Sequence, residues 1–122
     1  MSDVRTQVIQ TLDGLVAGGL MAACLAGRDG LPVMMKAKRP VQEETFSAMG
    51  AALLASAEAV LQEFSEVRPA LALVEAGDLR LAVAGIDDSH LLVCAGPASI
   101  SAEQLRKSVD DARVRLKTVL GG

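Results

Sequence analysis

The sequence predicts an α/β domain, in the α+β sense, with the element order αββαβββα and helices on both faces of one five-stranded sheet. Three observations predict it. Residues 20–26 and 91–95 are apolar without alternation, the pattern of central strands buried on both faces. A sheet buried on both faces must carry helices on both. Helical periodicity occupies each end of the chain and one long central segment, with turn chemistry between the remaining extended runs. At 122 residues the chain has the size of one domain, and no linker, repeat or low-complexity stretch divides it, so residues 1–122 are read as a single unit.

The elements follow in order. Val4, Val8, Leu12, Leu15 and Val16 recur at helical spacing, with Ser2 available as N-cap and Gly18 and Gly19 beyond the end. The turn Gly27-Arg28-Asp29-Gly30 joins the run 20–26 to residues 31–36, and Pro32 assigns this second strand to an edge because it cannot donate to a central ladder. Residues 42–66 contain no breaker except Gly50 and open with Glu43 and Glu44, carboxylates suited to a helix N-terminus. On this long helix, Phe46, Met49, Leu53, Ala57, Val60 and Phe64 form one stripe at about 100° per residue, read as the core side.

Residues 70–75, the turn Ala76-Gly77-Asp78 and residues 79–84 read as a second hairpin, and Asp87-Asp88-Ser89 leads into a strand over 90–95. The last helix starts from Ser101 with Gln104 three residues on, a capping box, with Ile100 and Leu105 placed as a hydrophobic staple. Leu105, Val109, Ala112, Leu116 and Val119 supply its buried stripe.

Composition removes several function classes. Hydrophobic residues make up 51% of the chain and charged residues 22%, which excludes disorder and points to more apolar surface than one small monomer hides. Two Phe and no Tyr or Trp leave almost nothing on which to stack bases or sugars. A net charge of −3 gives no basic field for nucleic acid or anionic lipid, so neither is an expected partner. The first ten residues lack the apolar core of a signal peptide, and no run reaches a membrane-spanning length, so a cytoplasmic location without membrane insertion is expected. Cys24 and Cys94 sit in apolar runs with no CxxC spacing and read as buried, reduced thiols.

The search for chemistry predicts no enzyme, with no catalytic, cofactor-binding or metal-binding residues. His90, the single histidine, follows Asp87-Asp88-Ser89, but no separate nucleophile or oxyanion loop accompanies it, and a strand-end turn explains the same residues. The glycines match neither G-x-G-x-x-G nor G-x-x-x-x-G-K-[ST]. Glu43-Glu44 and Asp87-Asp88 lack the spacing of a hard-cation loop. Arg28 at a hairpin tip has the position of an arginine finger acting in trans, although a solubilising role is the commoner use of such a residue. Lys36, Lys38 and Arg39 form the one basic patch and read as a solvated loop.

The informative feature is the second face of the long helix. Ala48, Ala52, Ala55 and Ala59 form a flat alanine-lined side fringed by Glu58, Gln62 and Glu63. The terminal helices have single stripes that the sheet satisfies, so this side lacks an internal cover, and small side chains permit close approach of a second backbone. Two-fold pairing with a second copy buries it, and Ala48, Ala52, Ala55 and Ala59 are the expected dimer contacts.

The chain resembles the roadblock/dynein light chain family, in particular its bacterial and archaeal branch. The resemblance rests on Gly27-Arg28-Asp29-Gly30-Leu31, on Glu43-Glu44-Thr45-Phe46-Ser47-Ala48-Met49-Gly50-Ala51-Ala52-Leu53-Leu54, and on Gly85-Ile86-Asp87 before Leu91-Leu92. It implies a profilin-like five-stranded antiparallel sheet with the long helix on one face and the two terminal helices on the other. It also implies a homodimer in which the long helices lie side by side and residues 70–75, with Leu71 and Leu73, pair with their copy. The implied role is regulator or scaffold of a Ras-like small GTPase, with no catalytic residue of its own. The groove of the paired helices places Glu44, Glu58, Gln62 and Glu66 as partner-binding positions. Two alternatives stand beside this reading: a structural scaffold subunit without a GTPase, and a small-molecule sensor with Met21, Met34, Met35 and Met49 lining a pocket under the long helix.

Overall fold

The computed structural model describes residues 3–121. Helix α1 spans Val4–Ala17, strands β1 and β2 Ala22–Gly27 and Pro32–Ala37, and helix α2 Glu43–Leu61. Strands β3, β4 and β5 cover Leu71–Ala76, Leu79–Gly85 and His90–Pro97, and helix α3 covers Ala102–Gly121. The αββαβββα order and all five strands match the sequence reading. The strands form one antiparallel sheet in the order β2-β1-β5-β4-β3.

Local chemistry sets the helix ends. The Asp3 carboxylate caps α1 by accepting the Thr6 N–H at 2.8 Å, a bond that satisfies one of the orphan donors of the first turn. The expected cap, Ser2, lies outside the described residues. At the other end Gly19 takes a φ of 119°, which reverses the chain into the sheet while Leu20 donates to the Leu15 carbonyl. Ser101 caps α3 as expected, its hydroxyl accepting the Gln104 N–H at 3.1 Å.

Two apolar layers enclose the sheet. On one face Val8, Leu12 and Leu15 of α1 and Leu105, Val109, Ala112 and Leu116 of α3 pack on Ala23, Leu25, Ala82, Ala84, Leu92 and Cys94. On the other, Ala51 and Leu54 of α2 pack on Cys24, Ala26, Val83, Leu91 and Val93. β1 and β5 are buried on both faces, as their unbroken apolar runs require. Full burial of each core leucine contributes roughly 1.5–3 kcal/mol.

The seating of α2 corrects the sequence reading. Its buried residues are Ser47, Gly50, Ala51 and Leu54, not the stripe of large side chains. Met49 is 61% exposed and Val60 62%, Phe46 and Leu53 are half-buried at the margin of the α2-side core, and Phe64, expected on the same helix, lies 85% exposed beyond its end because α2 stops at Leu61 and not near residue 66. Small residues face the sheet because the helix backbone approaches it closely. Ser47 replaces a hydrophobic contact with a fixed one: its buried hydroxyl donates to the Gly30 carbonyl at 2.8 Å and ties α2 to the β1–β2 turn.

Candidate functional site

The groups that could support chemistry are engaged in structure. Asp87 caps the turn before β5, its Oδ1 accepting the Ser89 N–H at 2.8 Å and the His90 N–H at 2.7 Å. The His90 ring Nδ1 lies 3.0 Å from the same oxygen. Desolvation opposes ionisation of Asp87, but these bonds and the His90 charge outweigh it and hold the carboxyl below its ordinary range. A carboxylate committed to three donors at a strand start is a turn-forming group.

Cys24 and Cys94 are buried free thiols. Desolvation, with a smaller contribution from Glu43, pushes Cys24 up to about 12, and burial also raises Cys94. Cys24 pairs with Val93 and Cys94 with Ala23 in the ladder, so the two thiols point to opposite faces of the sheet. Thiolate chemistry at neutral pH has no reactive form to use.

Arg28 is neither a free finger nor a solvated turn residue. Its Nε donates to the Asp87 carbonyl at 2.8 Å and its Nη1 to Glu58 Oε1 at 3.2 Å. The other Glu58 oxygen accepts Arg68 Nε at 2.8 Å, and Arg68 Nη1 reaches Asp88 at 3.4 Å. A side chain on Gly85 would place its Cβ 2.5 Å from Arg28 Nη2. This cluster joins the β1–β2 turn, the β4–β5 turn, α2 and the segment before β3. Its bonded pairs are 10 to 59 residues apart in sequence, which is why periodicity and motif reading missed it.

The solvent-facing side of α2 carries small and large apolar residues. Ala52, Ala55 and Ala59 are exposed on α2 and Ala48 is half-buried beside Gly30. Glu44, Gln62 and Glu66 are exposed, whereas Glu58 turns inward to the two arginines. Met49 and Val60 add large apolar groups to the outer side of the helix, and Phe64 lies exposed in the turn beyond its end. Of the four methionines considered for a pocket, Met34 packs with the α1–α3 core, Met35 with the α2 core and Met49 faces out. Met34 and Met35 thus lie on opposite faces of the sheet and do not line one pocket.

The two edges of the sheet differ in kind. β2 carries Pro32, a register irregularity opposite Leu25 and Ala26, and Lys36, all features that discourage a further strand. β3 has none of these: Leu-Ala-Leu-Val-Glu-Ala pairs with β4 in unbroken register and leaves its other side open. Leu71 and Leu73 pack toward α1 and α3, Ala72 toward α2, and Val74 is exposed. An edge strand this regular is a template for pairing.

No protein-family model matches the chain, and no curated protein matches it. Solved structures do. An MglB structure with a tetrameric arrangement is 16% identical with a TM-score of 0.88, covering 98% of this chain and 91% of that one. The gliding protein MglB from Thermus thermophilus is also 16% identical at a TM-score of 0.88, with 98% and 92% covered. A Roadblock/LC7 domain from Streptomyces avermitilis is 17% identical at 0.84, with 93% and 97% covered. The chain has the roadblock fold.

Proposed function

We propose that this chain is a non-enzymatic, homodimeric regulator or adaptor of a Ras-like small GTPase. The observation that carries the reading is the pairing of an unprotected β3 edge with an apolar outer side of α2 next to it. Among the described residues neither surface has a cover, and both belong to the elements that the family resemblance assigns to self-association. The likeness in fold to the gliding protein MglB and to a Roadblock/LC7 domain supports the same assignment.

The dimer surface we assign is Ala48, Ala52, Ala55 and Ala59 of α2 with Leu71 and Leu73 of β3, extended by Met49 and Val60. A dimer of this kind leaves Glu44, Gln62 and Glu66 at the margin of the paired helices, where a partner meets them. The partner-binding role comes from the resemblance; Glu58 contributes by fixing Arg28 and Arg68. In this reading the chain acts by shape and contact, and its effect on a GTPase is exerted through the partner's own catalytic groups.

The experiment is capture of small GTPases encoded by the same genome, loaded separately with GDP or a non-hydrolysable GTP analogue, on the immobilised chain. Preferential capture of one nucleotide state is expected. Equal failure of both states, with the dimer intact, overturns the GTPase assignment and leaves the structural scaffold.

A further inference from the structure

The connection from Gln62 to Ala70 enters β3 directly and carries two of the most exposed apolar side chains, Phe64 at 85% and Val67 at 74%. Its local hydrogen bonds stop early: Phe64 and Ser65 donate to the Leu61 carbonyl, and Val67 to the Ser65 hydroxyl. Among the described residues, the hydrogen bonds and ion pairs that join 66–69 to the body of the domain belong to Arg68. Beyond it, the Ala70 carbonyl accepts the Gly85 N–H at 3.3 Å as the ladder begins.

Arg68 binds two carboxylates: Asp88 at 3.4 Å, which is fully in solvent, and Glu58 at 2.8 Å, which is not. Glu58, with its side chain 14% exposed, is held from the opposite side by Arg28, which is itself fixed to the Asp87 carbonyl. One carboxylate thus bridges two guanidinium groups of unequal burial, Arg28 inside and Arg68 at the surface. The inner pair is the less exposed, whereas the outer pair, with the Arg68 side chain 55% exposed, is the more open to screening by salt.

We infer that Arg28, Glu58 and Arg68 form a latch that ties the backbone of the α2–β3 connection, whose Phe64 and Val67 side chains face solvent, to the domain, and that Arg68 is the point at which it opens. Arg28 preorganises Glu58 as the catch. Release of Arg68 frees the connection without disturbing either core, because neither Phe64 nor Val67 packs into one. The latch goes beyond the GTPase reading and stands independently of it, since every group in it lies within one chain.

The test is the rate of chymotryptic cleavage after Phe64 on the intact chain, compared between wild type, Arg68→Gln and Glu58→Gln. Proteolysis requires several residues on each side of the bond to leave the surface, so it reads local release. Cleavage about tenfold faster in Arg68→Gln, with an unchanged thermal midpoint, is expected. Wild type in 0.5 M NaCl, about the ionic strength at which exposed charges are screened within a few Å, should accelerate in the same way. This comparison needs no variant that might fail to fold. Unchanged cleavage in Arg68→Gln, or acceleration matched by a fall in the midpoint, overturns the latch.

Discussion

Gly50 stands against Val93: a Cβ added to Gly50 would lie 2.5 Å from Val93 Cγ2 and 2.9 Å from Cγ1. The backbone of α2 therefore rests directly on the central strand β5. In a free helix, Gly→Ala is favourable by about 1 kcal/mol. Here overpacking of about 1–3 kcal/mol opposes that gain. Gly50→Ala should lower the thermal midpoint by a few degrees in far-ultraviolet circular dichroism. Gly14, inside α1 with no heavy atom within 4 Å of an added Cβ, is the control of opposite sign. Gly14→Ala should raise the midpoint. Equal effects at both positions would show that α2 lifts freely from the sheet.

The same contact explains where sequence reading succeeded and where it failed. Single-stripe helices were legible, because Leu105, Val109, Ala112 and Leu116 have one apolar side and one sheet to meet. Helix α2 is apolar nearly all round, so its periodicity does not say which side faces in. Weight by hydrophobicity chose Met49, Val60 and Phe64, whereas the close approach at Gly50 selects Ser47, Ala51 and Leu54. Edge character was legible for β2 from Pro32. The Arg28–Glu58–Arg68 cluster was not, since three hairpin and helix ends must fold before those charges meet.

Cys24 and Cys94 should be inert in the native protein. With the Cys24 thiol pushed up to about 12, only about one molecule in ten thousand carries the thiolate at pH 8. An aromatic disulfide reagent should find no reactive thiol in the native chain and two in denaturant. One rapid equivalent under native conditions would reveal an opening of the sheet that the folded structure does not contain.

Asp87 should make stability depend on acid pH in a defined direction. Its folded carboxyl titrates below the unfolded value of about 3.9, so the charged form is favoured by the fold. That contribution is fully present above the unfolded value and disappears as pH falls through the folded one. The midpoint difference between wild type and Asp87→Asn should shrink as pH falls below about 4. A difference that is constant down to pH 2.5, or grows, would show that the Ser89 and His90 bonds do not favour the ionised carboxylate.

Self-association can be tested on each proposed surface separately. Wild type should have a solution mass by light scattering near twice the 12.6 kDa of the chain. Met49→Glu places a charge on the outer side of α2, where it is solvated in the monomer and buried without a partner in the dimer. The cost is several kcal/mol, appearing wholly in association because Met49 contributes little to the monomer core. Val74→Lys does the same on β3 and adds the residue type that natural edges use against pairing. Ala55→Glu tests the alanine side of the helix. Loss of the dimer in Met49→Glu and Val74→Lys, with thermal midpoints near wild type at low concentration, locates the contact on α2 and β3 together. Loss in Ala55→Glu alone would confine it to the alanine face and make β3 a free edge after all. A wild-type monomer at all concentrations would remove the self-pairing on which the proposed function is built, leaving the exposed side of α2 to a different protein.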